Sequence, residues 1–263
     1  MSVTTSEAVR IAYEVRGTGE PVLLIHGLGY DRFGWGPAPD LLAEEFQVVL
    51  FDNRGVGQSD VPPGPYTTAA LAGDALAVLD AVGLERAHIV ATSLGGMVAQ
   101  ELVLAHPDRV SKLVLACTTP GGPHAYPIPD RTLAVFAAFP TLPLEEALHR
   151  FVENALSDES VASRPELVEE IYRYRLAHRP DPVAWQWQGA AGMSHDAFDR
   201  VGQIRVPTLV LTGTADNVVD HRNSDLLAAA IPGARLERFE VLGHLFFWEE
   251  PQRFARVVRE FLR

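Results

Sequence analysis

Short apolar runs alternate along the chain with longer stretches in which apolar positions recur at helical period. That alternation is the signature of a mostly parallel sheet covered by helices, so the fold class is α/β. Strands are expected at Arg10 to Val15, Val22 to Ile25, Gln47 to Phe51, Ala87 to Ala91, Lys112 to Ala116, Thr208 to Leu211 and Arg235 to Phe239. The runs beginning at Val22, Val48, Leu113 and Leu209 are apolar on both faces, which requires central positions with helices on either side. Helical periodicity falls at Ala38 to Glu45, Thr68 to Val82, Gly95 to His106, Asn223 to Ala230 and Pro251 to Leu262. From Thr118 to about Arg205 strand signals vanish. Helices are expected there at Leu144 to Ser157, Pro165 to His178 and Pro182 to Met193, joined by Pro-rich segments. Residues 1–117 and 206–263 thus read as one α/β core, and 118–205 as a helical cap inserted into it.

Composition narrows the function classes. The 263 residues carry 22 Lys+Arg against 34 Asp+Glu, a net charge of −12. An acidic surface repels phosphate backbones and anionic headgroups, so neither nucleic acid nor membrane is expected as a partner. The one cysteine, Cys117, forms no internal disulfide and supplies no thiolate cluster for zinc; no metal or cofactor is expected. Residues 1–10 lack the apolar stretch of a signal peptide, and no run approaches the roughly 18 apolar residues that span a bilayer. A cytoplasmic location is the expectation. Oligomeric state is not legible.

Four segments carry chemistry. Ile89 to Met97 runs from an apolar strand directly into a helical pattern, with Ser93 at the corner and small residues at Ala91, Gly95 and Gly96. Bulk at those positions would block a sharp turn, so the segment reads as a nucleophile elbow in which Ala91 replaces the usual first glycine. For a serine at such a junction taken alone, a helix N-cap is the commoner role. The turn Gly213 to Val219 follows a strand and places Asp216 at the sheet's C-terminal edge. Gly243-His244-Leu245 follows the last strand and puts a histidine on a loop at the same edge. His26-Gly27-Leu28-Gly29 follows another apolar strand, and its glycines allow a backbone N–H to point into a cavity. Asp216 is the candidate orienting carboxylate, with Asp220 as runner-up, and His244 is the candidate base.

With these residues in the order serine, acid, histidine, the chain resembles the α/β-hydrolase family over nearly its whole length. Asp52-Asn53-Arg54-Gly55-Val56-Gly57-Gln58-Ser59 is similar to that family's Asp-x-Arg-Gly-x-Gly-x-Ser turn. Within the family, the chain looks most similar to enol-lactonases of the 3-oxoadipate type and to small carboxylesterases. The resemblance implies an α/β-hydrolase fold with an inserted cap, and a serine hydrolase of esters or lactones. It also implies an acyl-enzyme on Ser93, His244 as general base and acid, and Asp216 holding the imidazole. The backbone N–H groups of Leu28 and Leu94 would form the oxyanion hole.

Trp35, Phe136, Phe139, Trp185 and Phe246 are expected to line an apolar substrate pocket, with Trp187, Phe247 and Trp248 as further candidates, although each aromatic taken singly is more often core. The expected substrate is a small, apolar or weakly polar ester or lactone. Arg131, Arg150, Arg164, Arg173, Arg175 and Arg179 read as solvated helix faces, any one of which would serve a substrate carboxylate. Other chemistry on the same triad is carbon–carbon bond hydrolysis or cofactor-free perhydrolysis, and a non-catalytic receptor is a different class again. Haloalkane dehalogenase or epoxide hydrolase chemistry needs a carboxylate where Ser93 stands. Hydroxynitrile lyase chemistry wants a lysine near the triad, whereas Lys112, the only lysine, starts a strand.

Overall fold

A computed structural model describes residues 2–263. The strands are β1 (Ser2–Ser6), β2 (Val9–Arg16), β3 (Glu20–Ile25), β4 (Phe46–Phe51), β5 (Ala87–Thr92), β6 (Val110–Ala116), β7 (Thr208–Gly213) and β8 (Arg235–Phe239). They form one eight-stranded sheet in the order β1-β2-β4-β3-β5-β6-β7-β8. β2 pairs antiparallel with both β1 and β4, and the pairs from β4 through β8 are parallel. Alternate residues of the central strands feed two separate cores. Val22, Leu24, Val48, Leu50, Val90 and Val114 belong to one, and Leu23, Ile25, Val49, Phe51, Ile89 and Leu113 to the other. A two-residue period with both faces buried explains why these runs contain hardly a polar residue.

The helices are α1 (Ala38–Ala43), α2 (Thr68–Val82), α3 (Leu94–Ala105), α4 (Asp130–Ala138), α5 (Leu144–Ala155), α6 (Asp158–Ser163), α7 (Pro165–Ala177), α8 (Pro182–Met193), α9 (Arg222–Ala230), α10 (Phe246–Glu249) and α11 (Pro251–Leu262). α2 occupies the span expected of it: the Thr67 side chain accepts from Ala70 N at its start, and Gly83 ends it with φ 78°. α4 to α8 fill the stretch between β6 and β7, where no strand occurs among the described residues. The two ends of that stretch meet at an isolated antiparallel bridge between Gly121 and Asp196, and Ala197 N donates to Pro120 O at 2.8 Å.

Four elements escape the apolar pattern. β1 is a mostly exposed polar edge strand, joined to β2 through Glu7 and Ala8, both at positive φ without glycine or asparagine to mark the turn. Among the residues of α4 only Thr132 is buried, so that helix has no apolar stripe. α6 and α10 are too short for periodicity to register.

Candidate active site

The sharp corner is present. Ser93 stands between β5 and α3 with φ 54° and ψ −123°, and it makes no side-chain cap to the helix, which removes the N-cap role. A left-handed φ costs a residue with a side chain on the order of 1–3 kcal/mol, and the surroundings hold it there. Ser93 N donates to Ala116 O at 2.9 Å, and Thr118 Oγ1 donates to Ser93 O at 2.7 Å. A Cβ on Gly95 would lie 2.2 Å from Ile25 O, and one on Gly96 would lie 2.6 Å from Thr118 Cβ. Both glycines are therefore required for α3 to approach β3 and the end of β6.

At the C-terminal ends of β7 and β8 the acid and the histidine meet. His244 Nδ1 lies 2.7 Å from Asp216 Oδ2, and the other carboxylate oxygen accepts from Val218 N at 2.7 Å and Val219 N at 2.9 Å. Both residues are buried. Burial opposes a charged imidazole, but the adjacent Asp216 carboxylate outweighs it, and His244 stands well above the usual histidine pKa of 6.5. The Cys117 thiol is itself pushed up by burial and stays protonated at neutral pH. With Nδ1 committed to Asp216, Nε2 is the ring nitrogen left for Ser93, which faces the same cavity. Asp220 pairs with Arg222 instead, and it is Asp216 that lies against His244.

The turn after β3 completes the arrangement. Gly27 N donates to His26 Nδ1 at 2.6 Å, Gly29 N to Gln188 Oε1 at 2.9 Å, and Tyr30 N to Gly27 O at 3.4 Å. Among the described residues this leaves the Leu28 N–H of the turn uncommitted. Leu94 is the first residue of α3, where an N–H has no intrahelical acceptor. A Cβ on Gly27 would lie 2.9 Å from Ser93 Cβ, so the turn packs directly on the serine. Burial lowers the His26 pKa to about 3; the ring is neutral, and its acceptor Nδ1 places the proton on Nε2.

A narrow cavity of about 70 Å³ opens between these groups, lined by Leu28, Ser93 and His244 together with Tyr30, Phe136, Phe151, Val218, Leu245 and Phe247. That is far below the roughly 300–1,000 Å³ of a typical ligand pocket, room for the reacting end of a small molecule. Of the aromatics expected here, only Phe136 lines it. Trp35 and Phe246 are core residues: Trp35 packs 4.8 Å from His26 and 5.4 Å from Phe247, and Phe246 stacks on Phe239 at 4.5 Å. Phe139 is exposed at the surface. Trp185 stands behind the cavity against Phe136 and Gly29. Of the other candidates, Trp187 packs on Tyr66 and Trp248 donates to Gly34 O. Neighbours on the one-turn α10 point in different directions, which sends Phe247 into the cavity and Phe246 into the core; no linear pattern separates them.

Four residues with a part in this geometry are unmarked in the sequence. Glu249 is fully buried; one oxygen accepts from Gly243 N at 2.6 Å and the other from Ser157 Oγ at 2.7 Å. Thr132 Oγ1 donates to Asn217 O on the acid turn at 2.5 Å. Gln188 binds the turn after β3 from α8. Arg175, expected on a solvated face, is 3% exposed and donates to Gly29 O at 2.6 Å. A separate surface depression around Asp80, Gly83 to Arg86 and Arg109 lies at the starting ends of β5 and β6 and holds no nucleophile and base together.

A family model described as alpha/beta hydrolase fold matches residues 20–251. The chain belongs to that family and is a hydrolase. It is 33% identical over 262 residues, 96% of this chain and 90% of the relative, to a 2-hydroxy-6-oxononadienedioate/2-hydroxy-6-oxononatrienedioate hydrolase of Cupriavidus pinatubonensis. It is 32% identical over 250 residues, 95% of this chain and 93% of the relative, to a protein of Azorhizobium caulinodans that carries the name of a carbamate hydrolase, RutD. A thermophilic esterase from Thermogutta terrifontis superposes with a TM-score of 0.84 at 29% identity, covering 100% of this chain and 97% of that one.

Proposed function

We propose that the protein cleaves a small carboxylic ester or lactone through an acyl-enzyme on Ser93. The observation that carries this reading is the 2.7 Å contact between His244 and Asp216 on the rim of a cavity that also holds Ser93 at its strained corner. A serine hydroxyl is a weak nucleophile at neutral pH. In the proposed reaction Ser93 Oγ bonds to the substrate's carbonyl carbon while His244 Nε2 takes its proton. The charge on the former carbonyl oxygen is received by the N–H groups of Leu28 and Leu94. As the tetrahedral intermediate collapses, the carbon–oxygen bond to the leaving alcohol breaks and His244 returns the proton to it. Water then attacks the acyl-enzyme by the same route. Asp216 holds the ring in the tautomer that presents a basic Nε2.

The lining of Phe136, Phe151, Val218 and Phe247 suits a short apolar acyl group. Residues 118–205 serve in this reading as the cap that closes over the C-terminal edge of the sheet. A second reading is carbon–carbon bond hydrolysis on the same three residues, favoured by the 33% identity to the dienedioate hydrolase. A panel of short p-nitrophenyl esters, lactones and vinylogous diketones, assayed with wild type and Ser93→Ala, separates the two. Turnover of esters or lactones that disappears in the variant supports the first; turnover of the diketones alone supports the second. Binding without turnover of any compound would instead mean a receptor.

A further inference from the structure

Gly29, at the apex of the turn that carries Leu28, has φ 69°, a conformation from which glycine flips easily because no Cβ opposes it. Two buried side chains from the helical stretch seize its peptide groups. Gln188 Oε1, from α8, accepts from Gly29 N at 2.9 Å. Arg175 Nη1, from α7, donates to Gly29 O at 2.6 Å. Each anchor is itself immobilised. Gln188 Nε2 donates to Arg54 O at 2.7 Å, and the Arg54 guanidinium holds Asp74 through two bonds of 2.6 Å. The Arg175 guanidinium lies 4.2 Å above the Tyr30 ring and 5.5 Å from that of Phe151.

The peptide planes show what this grip controls. The Gln188 contact fixes the Leu28–Gly29 plane, and the Arg175 contact fixes the Gly29–Tyr30 plane. The N–H of that second plane closes the turn on Gly27 O at 3.4 Å. Gly27 O belongs to the same plane as the Leu28 N–H, so the direction of that N–H follows from the two contacts on Gly29. Arg175 is 3% exposed and is paired with no carboxylate within salt-bridge distance among the described residues. A buried cation spent on a carbonyl is an expensive way to fill space, and an apolar side chain would fill it at less cost.

We propose that Gln188 and Arg175 are positioning residues that set the oxyanion-binding direction of the Leu28 N–H. The proposal rests on the reading of Leu28 as an oxyanion donor. A donor held out of line is worth little in the transition state and changes substrate binding hardly at all, because the ground-state carbonyl is uncharged.

The test uses Gln188→Met, Arg175→Met and Arg175→Lys in the full chain. Measured on each are kcat and KM for p-nitrophenyl acetate, affinity for an alkyl boronic acid that forms a tetrahedral adduct on serine, and the melting temperature. Gln188→Met is expected to lower kcat by about tenfold to hundredfold, to weaken the boronate by the same factor, and to leave KM within about twofold. Arg175→Lys, which keeps a donor for the Gly29 carbonyl, should lose less than Arg175→Met. A folded Gln188→Met with unchanged kcat, or with the loss confined to KM and the boronate still tightly bound, would overturn the proposal. Should the variants fail to fold, amide exchange in the wild type decides. A slowly exchanging Gly29 N–H is required, and one exchanging as fast as a free loop defeats the idea. If wild type neither turns over esters nor binds the boronate, it is the hydrolytic reading that fails, while Gly29 exchange still reports on the grip.

Discussion

The sheet core and the helical stretch between β6 and β7 satisfy their buried polar groups in opposite ways. In the core, strand backbones pair with one another, and the reacting side chains sit one or a few residues beyond a strand end: Ser93 after β5, Asp216 after β7, His244 after β8. In the helical stretch, single side chains reach across to loops of the core. Thr132 holds the acid turn, Ser157 shares the Glu249 carboxylate with the backbone of the histidine loop, and Arg175 and Gln188 hold the turn after β3. Leu245 N also donates to Ala155 O, and a Cβ on Gly243 would lie 2.5 Å from Leu156 C. The contrast teaches a division of labour: the core supplies the proposed reacting groups, and the helical stretch fixes the loops that carry them.

Substitutions that remove a reacting group should have the largest effect and leave the fold alone. Ser93→Ala or His244→Ala is expected to reduce kcat for p-nitrophenyl acetate by a factor on the order of 10⁶, with an unchanged circular dichroism melt. A loss below about tenfold in either would dissolve the contrast.

Asp216→Asn comes next, at roughly 10⁴-fold, and it carries a pH signature. The reaction needs neutral His244, whose pKa is raised by the Asp216 carboxylate against the opposing effect of burial. The acid limb of kcat/KM in wild type should therefore lie above pH 6.5, activity falling as the pH drops through it. In Asp216→Asn the raising cause is gone and burial remains, so the limb should move to lower pH. A limb that stays in place in the variant would mean another group governs it.

Glu249→Gln tests the fixing side of the division. It removes charge from a buried carboxylate bonded to Gly243 N and Ser157 Oγ. We expect a destabilisation of about 1–3 kcal/mol in urea denaturation and a fall in kcat of about tenfold. Stability lost with full activity would show that the histidine loop does not depend on this support. Asp220→Asn should do least: its partner is the half-exposed Arg222 and not His244, and activity is expected within about twofold of wild type because an ion pair with an exposed partner is worth little. A greater loss than in Asp216→Asn would reverse the assignment of the acid.

The same contrast explains what was legible in the sequence. β3 to β7 and the flanking helices announce themselves through local periodicity, and the elbow, the acid turn and Gly243-His244 follow their strands directly, so their meeting at one edge follows from parallel topology. β1 is hidden because its turn uses Glu7 and Ala8 at positive φ in place of glycine. The pocket aromatics are not legible because orientation, not identity, decides them: Phe246 and Phe247 are neighbours with opposite fates. Arg175 and Gln188 carried no local signal at all. Their partners lie 146 and 159 positions away along the chain, and only the folded arrangement turns an arginine on a helix into a ligand of Gly29.

The most direct test of the central claim is to trap the acyl-enzyme. Wild type is quenched in acid during steady-state turnover of p-nitrophenyl acetate, digested, and mapped by mass spectrometry. One acetyl group on the peptide containing Ser93, located at that residue by fragmentation and missing from Ser93→Ala, is the predicted result. Turnover that proceeds with the acetyl group on a different residue, or that continues undiminished in Ser93→Ala, would contradict the account.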